Sequence, residues 1–329
     1  MTIIDNKTYS WKTGTVTFLD NGKIKEYNDS KYKQKEEFIF KVKINGEVFF
    51  LSFNKRYRKF SAVKKDNTET FTGKIIENQL AVVPNIIPHQ NTNPEPNPNV
   101  AFVTLTNIGY IDYTLNCLQS LKRINCSLPL HSFCVGENGH NTLKKNGYYS
   151  SLIQDTNVNN AQFQTFKNNG WGDITFQKFN IIYQNLLTHK FVLFTDGDIV
   201  YENNEFINFL LQNIKKKDML IQNESQTNDG NYLCTGFMFI QSNDKTISLF
   251  NPINVNKHKQ MIGSKWEDQM YINTFKHTLK YKTLPLELFP NGKYYYNNRH
   301  LITPYMIHFN WVVGHTKKEK MIHYEKWYL

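Results

Sequence analysis

Residues 15–27, TVTFLDNGKIKEY, alternate apolar and polar positions on either side of an Asn-Gly pair. Residues 38–54, FIFKVKINGEVFFLSFN, repeat the device around Asn45-Gly46. Period-two alternation places every second side chain on one face of a strand, and Asn-Gly suits the tight turn of a hairpin. FSAVKKDNTETFTGKII, residues 60–76, supplies further strands. Residues 1–80 are therefore predicted to form a small all-β, barrel-like module of about six to eight short strands. Trp11, Tyr27, Phe49, Phe53, Tyr57 and Phe60 are expected to fill its interior; the alternative is that they partly line a sugar-stacking face.

The pattern then changes. Half of the ten prolines (Pro84, Pro88, Pro94, Pro96 and Pro98) fall in a Pro/Asn-rich stretch at 81–99. With few amide donors and no apolar period, it reads as an extended linker. From residue 100 the apolar runs are continuous: AFVTLTN (101–107), LHSFCVG (130–136), KFVLF (190–194), MLIQ (219–222) and YLCTGFMFIQ (232–241). Between them Leu115, Leu118 and Leu121, then Phe176, Phe179 and Leu186, recur at helical spacing. NEFINFLLQNIKKK (204–217) is predicted as a helix whose last turn carries cations that suit its dipole. Buried strands alternating with helices indicate an α/β domain over 100–329, a mostly parallel, Rossmann-like sheet covered on both faces.

Composition narrows the class. The 329 residues are 40% apolar and 15% aromatic, as in a folded globular chain. No apolar run is long enough to span a bilayer, and the N-terminus shows no signal-peptide pattern. Four cysteines without CxxC spacing are expected to be reduced, which places the protein in an intracellular, cytoplasmic compartment. The net charge of +11 is concentrated in residues 1–75, where 16 Lys or Arg face 9 Asp or Glu. A dedicated nucleic-acid site is not what this pattern favours.

The chemistry gathers where KFVLF runs into Asp196, Gly197 and Asp198. Ligands of open α/β sheets bind beyond the carboxyl ends of strands, and two like charges so close call for a cation. Two carboxylates plus substrate phosphates suit Mg²⁺ or Mn²⁺, and Gly197 leaves room for a ligand to approach. Two enzyme classes place DxD after an apolar strand. In haloacid-dehalogenase-like phosphatases Asp196 would be a nucleophile, but such domains open with that strand and need a later acidic motif that is missing here. In nucleotide-sugar transferases of the GT-A type the DxD comes mid-domain, as it does here. A non-catalytic glycan-binding or nucleic-acid-binding protein is the third alternative.

Five ordered pieces favour the transferase: TLTNIGY (104–110), ITFQKFNII (174–182), FTDGDIV (194–200), CTGFMFI (234–240) with WEDQMYIN (266–273), and HFNWVVGHTKK (308–318). On these, residues 100–329 resemble a GT-A nucleotide-diphospho-sugar transferase, of the group with the extensin arabinosyl- and rhamnogalacturonan xylosyltransferases. The layout also resembles glycosyltransferases of giant DNA viruses, which would make the compartment the host cytoplasm. The resemblance implies that Thr104, Thr106 and Asn107 hold base and ribose, and that Lys178, Gly197, Gly236 and Asn310 line the nucleotide-sugar site. It implies Asp196, Asp198 and His308 as metal ligands, the imidazole tilting the choice to Mn²⁺ over Mg²⁺. Gly314 with Lys317 or Lys318 would meet the diphosphate, and Lys318 is carried as a catalytic candidate. Asp268 and Gln269, with Asn273, would hold the transferred sugar; in an inverting enzyme Asp268 would be the general base, although the group implies retention. The chain departs from the glycogenin-like HxxGxxK in its wider spacing and carries Cys234 where related motifs have Asn. The co-substrate the resemblance implies is a nucleotide-sugar donor, UDP-linked in this group, with a glycan or glycoprotein acceptor. The β-module is expected to bind the acceptor or another protein, and Trp171, Trp266 and Tyr294–Tyr296 are candidate acceptor platforms or plain packing.

Overall fold

A computed structural model describes residues 8–11, 14–19, 23–25, 30–36, 39–53, 59–66, 70–76, 99–154, 171–263 and 266–329. The Asn21-Gly22 turn, Tyr27, Tyr57, the five linker prolines and the side chains of Trp11 and Trp171 lie outside the described residues. The chain divides into two compact units, Met1–Asn85 and Ile86–Leu329.

In the first unit seven strands make one antiparallel sheet: β1 (Thr8–Trp11), β2 (Gly14–Thr17), β3 (Ser30–Glu36), β4 (Ile39–Ile44), β5 (Glu47–Phe53), β6 (Lys59–Lys64) and β7 (Thr70–Ile76). Their order is β2-β1-β7-β6-β5-β4-β3. Asn45 and Gly46 turn β4 into β5 with φ of 48° and 84°, the two positive values a type I′ turn demands. Alternation does the rest. Phe40, Val42 and Ile44 point into a core with Phe49, Leu51, Phe53 and Phe60. On the outer face Lys31 stands opposite Lys43, and Lys33 opposite Lys41. The two ends of the strand order meet through side chains. Phe18, just after β2, lies edge-on to Tyr32 of β3 with ring centroids 5.0 Å apart, and the Tyr32 hydroxyl donates to the Leu19 carbonyl at 2.6 Å. The sheet thus coils around its own apolar face, the barrel-like shape expected.

The second unit is built on β8 (Val100–Asn107), α1 (Ile111–Arg123), β9 (His131–Val135), α2 (Glu137–Lys145), β10 (Ser150–Ile153), α3 (Trp171–Leu186), β11 (Phe191–Thr195), β12 (Ile199–Tyr201) and α4 (Phe206–Asn213). It continues with β13 (Met219–Asn223), β14 (Leu233–Gln241), α5 (Asp244–Leu249), α6 (Pro252–Ile262), α7 (Asp268–Phe275), β15 (Tyr281–Thr283), α8 (Gly292–Asn298), β16 (Met306–His308) and α9 (His315–His323). Seven strands form the central sheet in the order β10-β9-β8-β11-β14-β13-β15. It is mostly parallel: β14 alone runs against its neighbours, β11 and β13. Both faces are covered, so the strands read as unbroken apolar runs. Val100 and Phe102 of β8 pack with α1, α2 and α4; Ala101 and Val103 pack with α3, α5, α6 and α7. This mixed α/β architecture is the one expected of the GT-A type.

One detail departs from expectation. The helix α4 stops at Asn213, so Lys215, Lys216 and Lys217 follow it and are not in its last turn. Lys216 takes a φ of 62°, which ends the helical path. Among the described residues no helix is long and apolar enough to cross a membrane.

Candidate active site

The site forms where β11 delivers Asp196 at the carboxyl edge of the sheet. The Asp196 amide donates to the Gly236 carbonyl of β14 at 2.7 Å, which fixes the turn through Gly197 and Asp198. The chain then enters β12, a short strand that pairs antiparallel with β16, Ile199 opposite His308. That pairing brings a histidine from 110 positions downstream of Asp198 to the aspartates. One oxygen from each carboxylate and one imidazole nitrogen lie within 4.8 Å of one another.

The histidine is held in a ligand-ready form. Its Nδ1 lies 2.7 Å from Oε1 of Gln222. The Gln222 amide nitrogen donates to the carbonyls of Phe289 and Pro290, at 3.2 and 3.0 Å, which fixes which end of the amide faces the imidazole. An acceptor at Nδ1 puts the proton there and leaves the Nε2 lone pair pointing away. Nε2 faces Oδ1 of Asp198 at 3.2 Å and Oδ2 of Asp196 at 3.9 Å. A lone pair aimed at two carboxylates is repulsive unless a cation or proton lies between. Burial disfavours protonation of His308, yet Asp198 and Asp196 outweigh it and raise its pKa. The donor set, two carboxylate oxygens and one imidazole nitrogen, fits a divalent ion of the Mn²⁺ or Mg²⁺ kind.

Two lysines flank the triangle. Lys178, on the buried inner face of α3, sits 3.2 Å from Asp196 and 2.6 Å from Asp268. Burial works against its charge, but the two carboxylates outweigh burial and raise its pKa. Lys317, in the first turns of α9, pairs directly with Asp198. Burial pushes the Asp198 carboxyl up, while Lys317 and His308 together hold it well below the usual carboxylate range. Three carboxylates against two ammonium groups leave one negative charge unbalanced when the imidazole is neutral. Asp196 is the more open of the pair, its side chain 33% exposed against 12% for Asp198.

The other expected site residues divide. Thr104, Thr106 and Asn107 are buried. Thr106 accepts from the Thr114 hydroxyl of α1 at 2.8 Å, and Asn107 caps the turn before α1 by accepting from the Tyr110 amide. Gly197 makes room for packing: a side chain there would strike Thr114. Asn310 uses both ends of its amide, accepting from the Gly292 N–H at 2.6 Å and donating to Glu224 at 2.9 Å. Gly314, at φ 56°, precedes α9 and accepts at its carbonyl from the Tyr113 hydroxyl. Asp268 accepts from the Thr235 hydroxyl at 2.7 Å as well as from Lys178, and Gln269 follows it in the first turn of α7. Asn273 clamps both backbone groups of Leu233, and that use explains its place in the motif without a sugar.

One expectation needs correction, and two choices left open between platform and packing turn towards packing. Lys318 is turned away from the aspartates; its ammonium lies 4.5 Å from the Trp327 ring and 3.9 Å from Asp112. On a helix, neighbours in sequence diverge by about 100°, so only Lys317 can face Asp198. Trp266 is 3% exposed and packs edge-on against Phe176 and Phe179, so it belongs to the core. Tyr295 is buried and Tyr296 stacks on Tyr324, so these two are packing, whereas Tyr294 is half-buried with its hydroxyl 3.5 Å from Glu287. Sequence reasoning passed over Gln222, Thr235 and Glu224. The available signal was a polar residue at the end of each of two apolar strand runs.

Gly236 carries a prediction. A Cβ there would collide with Cε1 of His308 and come within 2.8 Å of Asp196 Oδ2. In Gly236→Ala, manganese affinity by calorimetry is expected to fall at least tenfold, because the imidazole must leave its place. Unchanged affinity would show that His308 can shift without losing the ion.

The profile of the nucleotide-diphospho-sugar transferase family matches residues 133–322, more than half of the chain. A relative from Dictyostelium discoideum, UDP-galactose:fucoside alpha-3-galactosyltransferase, is 27% identical over 287 residues, 70% of this chain and 43% of that protein. The chain thus spans less than half the length of that relative. Among solved structures, the glycosyltransferase GlyE of Streptococcus pneumoniae TIGR4 superposes with a TM-score of 0.46 at 16% identity, over 70% of this chain and 61% of that one. The galactosyltransferase LgtC gives 0.47 at 10% identity, over 68% and 95%. On the profile match, and with its ordered motifs gathered at one edge of the sheet, the chain belongs to the nucleotide-diphospho-sugar transferase family.

Proposed function

We propose that the protein is a metal-dependent glycosyltransferase, moving a sugar from a nucleoside-diphospho-sugar, UDP-linked, to a glycan or glycoprotein acceptor with retention. The observation that carries this is Nε2 of His308 facing Asp196 and Asp198 while Gln222 engages Nδ1. These three residues would hold Mn²⁺ or Mg²⁺, which when bound supplies a Lewis acid for the diphosphate oxygens.

The chain's own groups do the remainder. Breaking the bond between sugar and phosphate puts negative charge on the leaving nucleoside diphosphate. Lys317 brings an ammonium to the place where that charge grows, and an interaction stronger in the transition state than before it accelerates the step. Lys178 fixes Asp196 and Asp268 relative to each other. With Lys178 and Thr235 both on its Oδ2, Asp268 is oriented to accept from a sugar hydroxyl through its other oxygen. The phosphatase alternative asks the domain to open with the strand that carries Asp196, whereas β8, β9 and β10 precede β11 here.

Calorimetry with UDP, with and without Mn²⁺, tests the reading. UDP is expected to bind tightly only with the ion, and transfer from UDP-galactose to a fucoside is the first pair to try, given the name of the Dictyostelium relative. An NMR spectrum resolving the product anomer decides retention. UDP binding that ignores Mn²⁺ would sink the proposal.

A further inference from the structure

Trp311 breaks the rules followed by its neighbours. It lies three residues after His308, so its Cα is within about 11 Å of the ligand's. Its backbone sits at φ 65°, in the left-handed region that a bulky side chain rarely occupies. Its side chain is 53% exposed, whereas Trp266 is buried in the core. Strained backbone is retained where surrounding structure enforces it, and such enforcement concentrates at functional sites.

The enforcement is visible. Asn310, just before it, is fixed by the Gly292 amide and by Glu224. Asn291 ties the same region to the end of β13, its amide donating to the carbonyls of Asn223 and Ser225 at 3.0 and 2.8 Å. The ammonium of Lys293 lies 5.1 Å from the centroid of the Trp311 ring. Glu224 accepts a hydrogen bond from Asn310 at 2.9 Å, and the same amide nitrogen lies 3.8 Å from the Cys234 sulfur. Cys234 in turn lies 3.7 Å from Nδ1 of His308. A half-exposed indole thus follows directly on a residue whose amide is tied to Glu224 and, through Cys234, leads to His308, with an ammonium 5.1 Å from the ring centroid.

We propose that Trp311 is the platform for the acceptor, a pyranose or furanose ring whose C–H face stacks on the indole while its hydroxyls reach Glu224 and Lys293. A sugar is amphipathic in this way: apolar across the ring, rich in donors and acceptors around it. A fixed indole beside charged groups matches both parts and spends little conformational entropy on binding. This inference rests on the transferase reading and adds to it where the acceptor lies.

The test uses the full chain as wild type, Trp311→Ala and Trp311→Phe. UDP affinity with Mn²⁺ is measured by calorimetry, and transfer is measured to the methyl glycosides of fucose, galactose, glucose and xylose. UDP affinity is expected within threefold in all three proteins, which also reports that each is folded. For the best acceptor, Trp311→Ala should raise KM at least tenfold with kcat within threefold, and Trp311→Phe should restore most of the loss. Intact UDP binding with an unchanged KM in Trp311→Ala overturns this inference alone. So does wild-type protein that binds UDP yet transfers to none of the four. Failure of wild-type protein to bind UDP overturns the transferase reading and this inference together.

Discussion

Exchanging Asp198 for Asn should leave a folded protein without the proposed manganese site. The amide keeps the shape of the side chain but removes the charge that faces Nε2 of His308 and the ammonium of Lys317. Affinity for Mn²⁺ in the presence of UDP is expected to fall at least a hundredfold. Transfer should fall roughly a thousandfold, about 4 kcal/mol of transition-state stabilisation. The thermal stabilisation expected of the wild type with UDP and Mn²⁺ should be absent in the same variant, since a ligand stabilises only the state it binds. Asp198→Asn that binds UDP and Mn²⁺ within threefold of wild type would place the ion elsewhere.

The second large effect is on stability. In Lys178→Met two inward carboxylates, Asp196 and Asp268, lose the cation between them. Removing one partner of a buried ion pair leaves an uncompensated charge and costs about 3–5 kcal/mol. Urea denaturation should report a loss of that order. The double variant Lys178→Met with Asp268→Asn should recover part of it, because fewer charges then remain unpaired. A single variant within about 1 kcal/mol of wild type would mean that the carboxylates find water or another donor, and that Lys178 does not organise them.

Much of this site could be read before any coordinates. Continuous apolar runs announce strands buried on two faces, and the runs at 101–107, 130–136 and 190–194 are strands β8, β9 and β11. Two aspartates at the end of such a run are anomalous enough to stand out alone. What could not be read was how the far end of the chain reaches them. β12 and β16 are three residues each, too short to show a period, and their pairing depends on a long loop closure that leaves no local trace. The lysines show the same limit. Lys317 and Lys318 are equal in sequence, and only the direction of α9 separates the one on Asp198 from the one on Trp327. Trp266 and Trp311 both lie inside the quoted motif pieces, yet the one weighed as a platform is core and the other is on the surface.

The lysines facing one another across β3 and β4 have a consequence for life in a crowded solution. β3 ends the strand order of its sheet, and the terminal strand of a sheet is where another extended chain can pair. Rows of like charge directly opposite one another weaken the pairing they adorn, so their presence is a tax on the module. What it secures is solitude: a second sheet approaching that rim meets a wall of ammonium groups before it meets a hydrogen bond.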